Sequence, residues 1–261
     1  PLLASEAEDL ALLRGAARAA GEIALRYWKK QPEVWDKGGS HGPVTEADLA
    51  VNAMLSDALR GARPGYGWLS EETPDTGERL QKRRTFIIDP IDGTRAFIAG
   101  ENTFAHSLAV AEEGRIIAAA VYLPALDRLY AASAAGQATR NDAPIRASAQ
   151  SRVEGASVVA SKPNLMPGFW PGGVPALHRS FRPSLAYRLC LVAEGRFDSM
   201  VAFRPTWDWD IAAGALIAAR AGAVVTDGQG GAIGFNATDP RAPGVIAASP
   251  GLHAGLLALR T

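Results

Sequence analysis

The stretch IIDPIDGTRAFIAG, residues 87–100, closes an apolar, strand-like run on an aspartate and places a second aspartate three residues later. A buried carboxylate is costly unless something pairs with it, so a strand that ends this way needs a partner for both acids. The sequence between them reads as a turn, since Asp, Pro and Gly are common turn formers. Pro90 stiffens that turn, and Asp89 and Asp92 then face one point with the Ile91 carbonyl between them. Gly93 allows a close backbone approach, and Thr94 adds a hydroxyl at the head of a helical turn whose amides can meet an anion.

Three further stretches place acids at element edges. VTEAD puts Asp48 in the first turn of a helix, WLSEET puts Glu71 and Glu72 just past a short strand, and WDWD puts Asp208 and Asp210 at a helix start. Each has an ordinary explanation alone: a dipole partner, solvated loop charges, a helix cap. Acids that converge, however, repel one another strongly in a low dielectric. A hard divalent cation relieves that repulsion, and carboxylate and carbonyl oxygens suit Mg²⁺ better than zinc. No Cys/His ligand spacing and no Ser/His/Asp or Cys/His nucleophile arrangement is present; His41, His106, His178 and His253 are scattered.

Composition narrows the partners. Hydrophobic residues make up 48% and charged residues 21% of 261, a globular balance. Lys+Arg and Asp+Glu both number 27, so no overall charge marks the chain for a nucleic acid polymer or a membrane surface. A phosphorylated ligand must be attracted by a local site. The single cysteine, Cys190, lies in the apolar run LCLVAEG, and this usage fits a cytoplasmic location. No run approaches the roughly 20 apolar residues of a membrane span, and the acidic, helix-periodic start does not read as a signal peptide.

The pattern predicts a long helix over 5–30, a polar loop at 37–43 and a second helix from Thr45 to Leu59 whose Thr45/Asp48 pair is a variant capping box. A hairpin follows around EEGR, with further strands through QATRN. ASVVAS, FDSMVAF, AVVTD and GVIAAS read as strands, and SLAYRLCLVAEG, DWDIAAGALIAARAG and HAGLLALR as helices. Residues 162–183 read as irregular apart from a short helix near 174–179. Mixed helices and strands argue for layered α and β structure. Residues 1–145 are expected to form an N-terminal α+β lobe carrying most of the acids, and 146–261 a C-terminal α/β lobe completing one compact unit.

DPIDGT, preceded by VTEAD and SEE and followed by WDIAAG, resembles the inositol monophosphatase family, in order and at its spacing over nearly the whole chain. The resemblance implies an α+β, layered αβαβα sandwich and a lithium-sensitive, usually homodimeric, Mg²⁺-dependent phosphomonoesterase with about two or three ions. It implies Glu71, Asp89, Asp92, Asp210 and the Ile91 carbonyl as metal ligands, with Glu71 also counted among the catalytic groups. Asp48 and Thr94 would activate water. Gly93, Thr94 and Lys37 would hold phosphate. Ser70 and Arg220 depart from the family pattern. An acid that contacts inositol hydroxyls is missing near Phe203 and Arg204, and Arg204 could meet a second phosphate instead. Inositol 1-phosphate and 3′-phosphoadenosine 5′-phosphate both remain open as substrates, with histidinol phosphate a third. A non-catalytic phosphate-ligand binder on the same fold is the reading from another class.

Overall fold

Helix α1 (Glu6–Tyr27) begins at a capping box: the Glu8 amide donates to Ser5 Oγ, and the Ser5 amide donates to the Glu8 carboxylate. Helix α2 (Glu46–Ala62) repeats the device with Thr45 and Asp48, the variant box read from the sequence. The structure, a computed structural model, describes residues 5–36, 38 and 42–260. Between the helices, β1 (Val34–Asp36) and β2 (Pro43–Thr45) form a small antiparallel pair. Most of the polar loop, Lys37 and His41 included, lies outside the described residues.

The chain then builds a seven-stranded sheet: β3 (Gly67–Ser70), β4 (Arg84–Asp92), β5 (Ala105–Glu112), β6 (Arg115–Leu123), β7 (Arg128–Ser133), β8 (Thr139–Arg140) and β9 (Ala143–Pro144), in that spatial order. A short helix, α3 (Thr94–Ile98), sits between β4 and β5. Only β3 and β4 run parallel; the rest is antiparallel, and EEGR makes the β5–β6 turn as expected.

Residues beyond the first sheet give β10 (Ser157–Val159), β11 (His178–Ser180), α4 (Leu185–Ala193), β12 (Ser199–Ala202), β13 (Thr206–Trp207), α5 (Asp208–Arg220), β14 (Val224–Thr226), β15 (Arg241–Ala242), β16 (Val245–Ala248) and α6 (Pro250–Ala258). A five-stranded sheet orders them β11-β10-β12-β16-β14, and β13 pairs with β15 apart from it. The helix expected near 174–179 is absent. Pro175 lacks an amide hydrogen, glycines precede it, and the backbone is taken up by the β10 edge through His178 N donating to Ala156 O.

Alternation along the strands defines the layers. In the second sheet Val159, Met200, Ala202, Val245 and Ala247 face α4 and α5, whereas Val158, Val201, Ile246 and Ala248 face α6 with Leu252 and Leu256. In the first sheet Phe86, Ile88 and Leu108 pack with Leu13, Val51 and Leu55 of α1 and α2. The order is therefore α1/α2, sheet, α4/α5, sheet, α6: the αβαβα sandwich. Helices α4 and α5 fit between two sheets because they approach closely; a Cβ at Gly214 would come within 2.6 Å of Leu189 Cβ. Arg220, where the family pattern has an acid, donates from Nε to Gly136 O and ties the end of α5 to the first sheet.

Candidate active site

Residues i and i+3 of a regular strand point to opposite faces. Asp89 and Asp92 nevertheless share one, because the turn expected between them is a β-bulge within β4. Asp89 pairs with Ser107 and Asp92 with Ala105, so three steps on β4 match two on β5. The parity change is visible in the core: Phe86, Ile88 and then Ile91 face α1 and α2. Pro90 suits the bulge because it has no amide hydrogen to contribute to the ladder.

Asp89, Asp92 and Asp210 each place a carboxylate oxygen within 4.8 Å of the others. Asp89 and Asp92 are buried, and Asp210 is partly exposed at the head of α5. Glu71 follows β3, held by its amide donating to Ile88 O at 3.2 Å. Burial, then the Glu71, Asp92, Asp210 and Asp48 charges, raise the Asp89 pKa well above the ordinary carboxylate value. Asp210 is raised well above it by burial and by Asp92 and Glu71, with Arg204 opposing. Burial lifts Asp92 to about 6, against hydrogen bonds from Ser184 and Ala186 and the Arg188 charge. Those bonds, Ser184 Oγ at 2.6 Å and Ala186 N at 2.7 Å onto Asp92 Oδ2, fasten the bulge to the start of α4.

Two observations test whether a cation fits. Asp89 Oδ1 is buried without a hydrogen-bond partner, a costly state for a carboxylate oxygen. The donor set is also entirely oxygen, and its members repel one another. Both suit a hard divalent ion.

Asp48 lies fully buried in the first turn of α2, its Oδ2 accepting from the Thr45 amide at 2.8 Å and the Thr45 hydroxyl at 2.6 Å. Thr94 Oγ1 lies 3.3 Å from Asp48 Oδ1 and 3.0 Å from the Ile91 carbonyl, so its single proton has two acceptors. Gly93 adopts φ 95° and ψ 38°, in the left-handed region that favours glycine. Its carbonyl receives the first α3 amides, those of Ala96 and Phe97, which leaves the Gly93 and Thr94 amides ahead of the hydrogen-bonded helix.

Sequence reading missed three supports. Arg188 on α4 is buried, donates from Nε to Arg182 O at 2.5 Å and from Nη2 to Pro183 O at 3.4 Å, and faces the charges of Asp92, Asp210 and exposed Arg204. Burial lowers its pKa to about 10. Asp208 is an anchor: its Oδ2 accepts the Asn236 amide at 2.7 Å, while Arg79 holds Asn236 Oδ1 and Ala237 O. His106 opposes the bulge. Ser70, in place of the family's glycine, donates to Asn52 Oδ1 at 2.7 Å. Trp207 and Trp209 stack at 4.6 Å, and the Trp209 carbonyl accepts Ser107 Oγ, which fixes the head of α5 against β5. Trp35 is 43% exposed on β1. Trp28 does pack, 5.9 Å from the Phe104 ring.

Clustered carboxylates with a hydroxyl–carboxylate pair beside them, seated in an αβαβα sandwich, form a site that could hold a metal ion. The chain belongs to the inositol monophosphatase family, whose model matches residues 6–261. It is 33% identical to the 3′(2′),5′-bisphosphate nucleotidase CysQ of Escherichia coli strain K12, over 82% of this chain and 88% of that protein. It is 35% identical to an inositol-1-monophosphatase of Rhizobium meliloti strain 1021, over 84% of this chain and 85% of that one. The solved structure of the extragenic suppressor protein suhB from Bartonella henselae superposes with a TM-score of 0.84 at 28% identity, covering 97% of this chain and 98% of that one. No helix among the described residues is long and apolar enough to cross a membrane.

Proposed function

We propose that this inositol monophosphatase family phosphatase is a Mg²⁺-dependent phosphomonoesterase whose preferred substrate carries a second anionic group, with 3′-phosphoadenosine 5′-phosphate ahead of inositol 1-phosphate. The observation that carries the reaction class is the buried, unpartnered Asp89 Oδ1 among the converging carboxylates. Glu71, Asp89, Asp92, Asp210 and the Ile91 carbonyl would hold the ions. Bound Mg²⁺ supplies neutralisation of the phosphate charge and a water acidified for attack.

The protein's own groups do the positioning. Asp48, fixed by Thr45, orients the Thr94 hydroxyl and takes up the proton that the attacking water loses to Thr94 Oγ1. The Gly93 and Thr94 amides receive phosphate oxygens ahead of α3. Lithium sensitivity, a homodimeric state and a cytoplasmic location belong to the same reading.

The substrate preference is supported by Arg188 and Arg204. Both guanidinium groups lie within electrostatic reach of Asp210, and neither forms a salt bridge among the described residues. Arginine suits a phosphate because its fork can meet two oxygens. Replacing Arg204 with Met should lower kcat/KM for the bisphosphate by about 10- to 100-fold, the worth of a charge-assisted hydrogen bond. The same change should move inositol 1-phosphate turnover less than threefold. Steady-state phosphate release from the two substrates checks this; an equal loss on both would remove the second-anion reading and leave the reaction class intact.

A further inference from the structure

His106 lies on β5 between Ser107, the partner of Asp89, and Ala105, the partner of Asp92. It is therefore the residue that faces the bulged pair Pro90–Ile91. Its side chain is fully buried, and Nδ1 lies 2.5 Å from the Pro90 carbonyl oxygen. A carbonyl only accepts, so Nδ1 carries the hydrogen and Nε2 presents a lone pair. That lone pair has no partner, and the ring lies near Phe104 and Tyr122, with centroids at 6.4 and 6.5 Å. Burial lowers the imidazole pKa to about 4, so the ring is neutral at pH 7.

This is a poor residue for stability alone. An apolar side chain would fill the same space without leaving a ring nitrogen unsatisfied, but it would give the Pro90 carbonyl no donor. What histidine supplies is a donor directed at the Pro90 carbonyl, between the two acids and next to Ile91. A bulge leaves its extra residue outside the regular ladder, and its geometry depends on what satisfies the freed backbone groups.

We propose that His106 is a positioning residue for the metal centre: its Nδ1–H bond to the Pro90 carbonyl sets the bulge that turns Asp89, Ile91 and Asp92 toward one point. It touches neither substrate nor ion and acts through the backbone of β4. Groups that orient metal ligands typically change metal affinity or activity by about 10- to 100-fold when lost. The inference rests on the metal-centre reading.

The test compares His106→Leu with His106→Asn. The two side chains have the same branching, but only Asn places an N–H near the position of Nδ1. Mg²⁺ binding is measured directly by calorimetry on the purified protein, without substrate, alongside the thermal midpoint of the metal-free form. The Leu variant should bind Mg²⁺ about 10-fold or more weakly, with a midpoint close to wild type, because loss of the orphaned Nε2 offsets the Pro90 carbonyl left without its donor. The Asn variant should bind within about threefold of wild type. Equal Mg²⁺ affinity in the Leu and Asn variants overturns the proposal, whether both match wild type or both are weakened. His106→Val, which suits a buried strand, stands in if the Leu variant does not fold. Failure of both apolar variants to fold while Asn folds also overturns it, because the bond then serves folding rather than the site. Absence of Mg²⁺ binding by the wild type overturns the metal-centre reading and this inference together. Binding by the wild type with Leu and Asn alike overturns only the role of His106.

Discussion

Asp89→Asn is expected to lower kcat/KM by about a thousandfold or more, the rate worth of several kcal/mol of metal-borne charge stabilisation. The same substitution should raise the melting temperature of the metal-free protein. Asp89 is buried among Glu71, Asp92, Asp210 and Asp48, whose charges it opposes. An amide removes one member of that repelling set, so function and stability move in opposite directions. The pH dependence follows from the direction of the shifts. The folded-state pKa values of Asp89 and Asp210 lie well above the ordinary value of 3.8, and that of Asp92 lies at about 6. Between the unfolded and folded values the folded state binds more protons, so these groups reduce stability as pH rises. In the metal-free wild type the penalty is absent below the unfolded value and grows through pH 6 and above. Mg²⁺ should offset it increasingly as pH rises, because the ion takes the place of the protons. Melting curves at pH 5 and 7.5, with EDTA and with Mg²⁺, check this for wild type and Asp89→Asn. An Asn variant that keeps wild-type turnover contradicts the ligand assignment.

The largest stability effect is expected far from the site, at Asp9. This α1 carboxylate is fully buried and accepts from Arg63 Nε at 3.0 Å, Arg84 Nη1 at 2.9 Å and Tyr66 OH at 2.9 Å. Arg84 is itself buried and reaches Glu112 on β5 at 3.2 Å. The cluster joins α1, the end of α2 and the first sheet. Asp9→Ala removes the carboxylate those donors share and should cost about 3–5 kcal/mol, the usual consequence of breaking a buried ion pair from one side. At about 2–4 °C per kcal/mol for a chain of this size, the melting temperature should fall by roughly 6–20 °C. Adding Arg84→Met to Asp9→Leu should restore part of the loss, since it removes the cation left facing an apolar side chain, while Arg63 and Tyr66 still lose their acceptor. Thermal unfolding of Asp9→Leu, of Arg84→Met and of the double variant measures the coupling. A loss below about 1 kcal/mol for Asp9→Ala contradicts this account of the cluster.

Much of the architecture was legible because it follows local rules. Thr45 and Asp48 announce a helix start, EEGR announces a hairpin, and Gly195 and Gly222, both at positive φ, follow the helices they were expected to end. The acidic stretches were legible as a group because each falls at an element edge. The segment at 174–179 was misread because the competing edge of β10 lies elsewhere in the chain. DPIDG was misread as a turn for a related reason: a bulge is a relation between two strands, and one strand alone cannot display it. Arg188, Asp208 and His106 were missed as parts of the site because their significance depends on burial and on what opposes them. Arg188 sits in an apolar helix next to Asp92 only after α4 has packed between the sheets. His106 acquires meaning only from the register that sets it against Pro90.

The most direct test of the central claim is phosphate release by the wild-type protein from 3′-phosphoadenosine 5′-phosphate and inositol 1-phosphate, each measured with Mg²⁺ and with EDTA. A Mg²⁺-dependent phosphomonoesterase that prefers a second anionic group gives release that depends on Mg²⁺, with higher kcat/KM on the bisphosphate. No release from either substrate by folded, Mg²⁺-supplied protein, or release unaffected by EDTA, would contradict it.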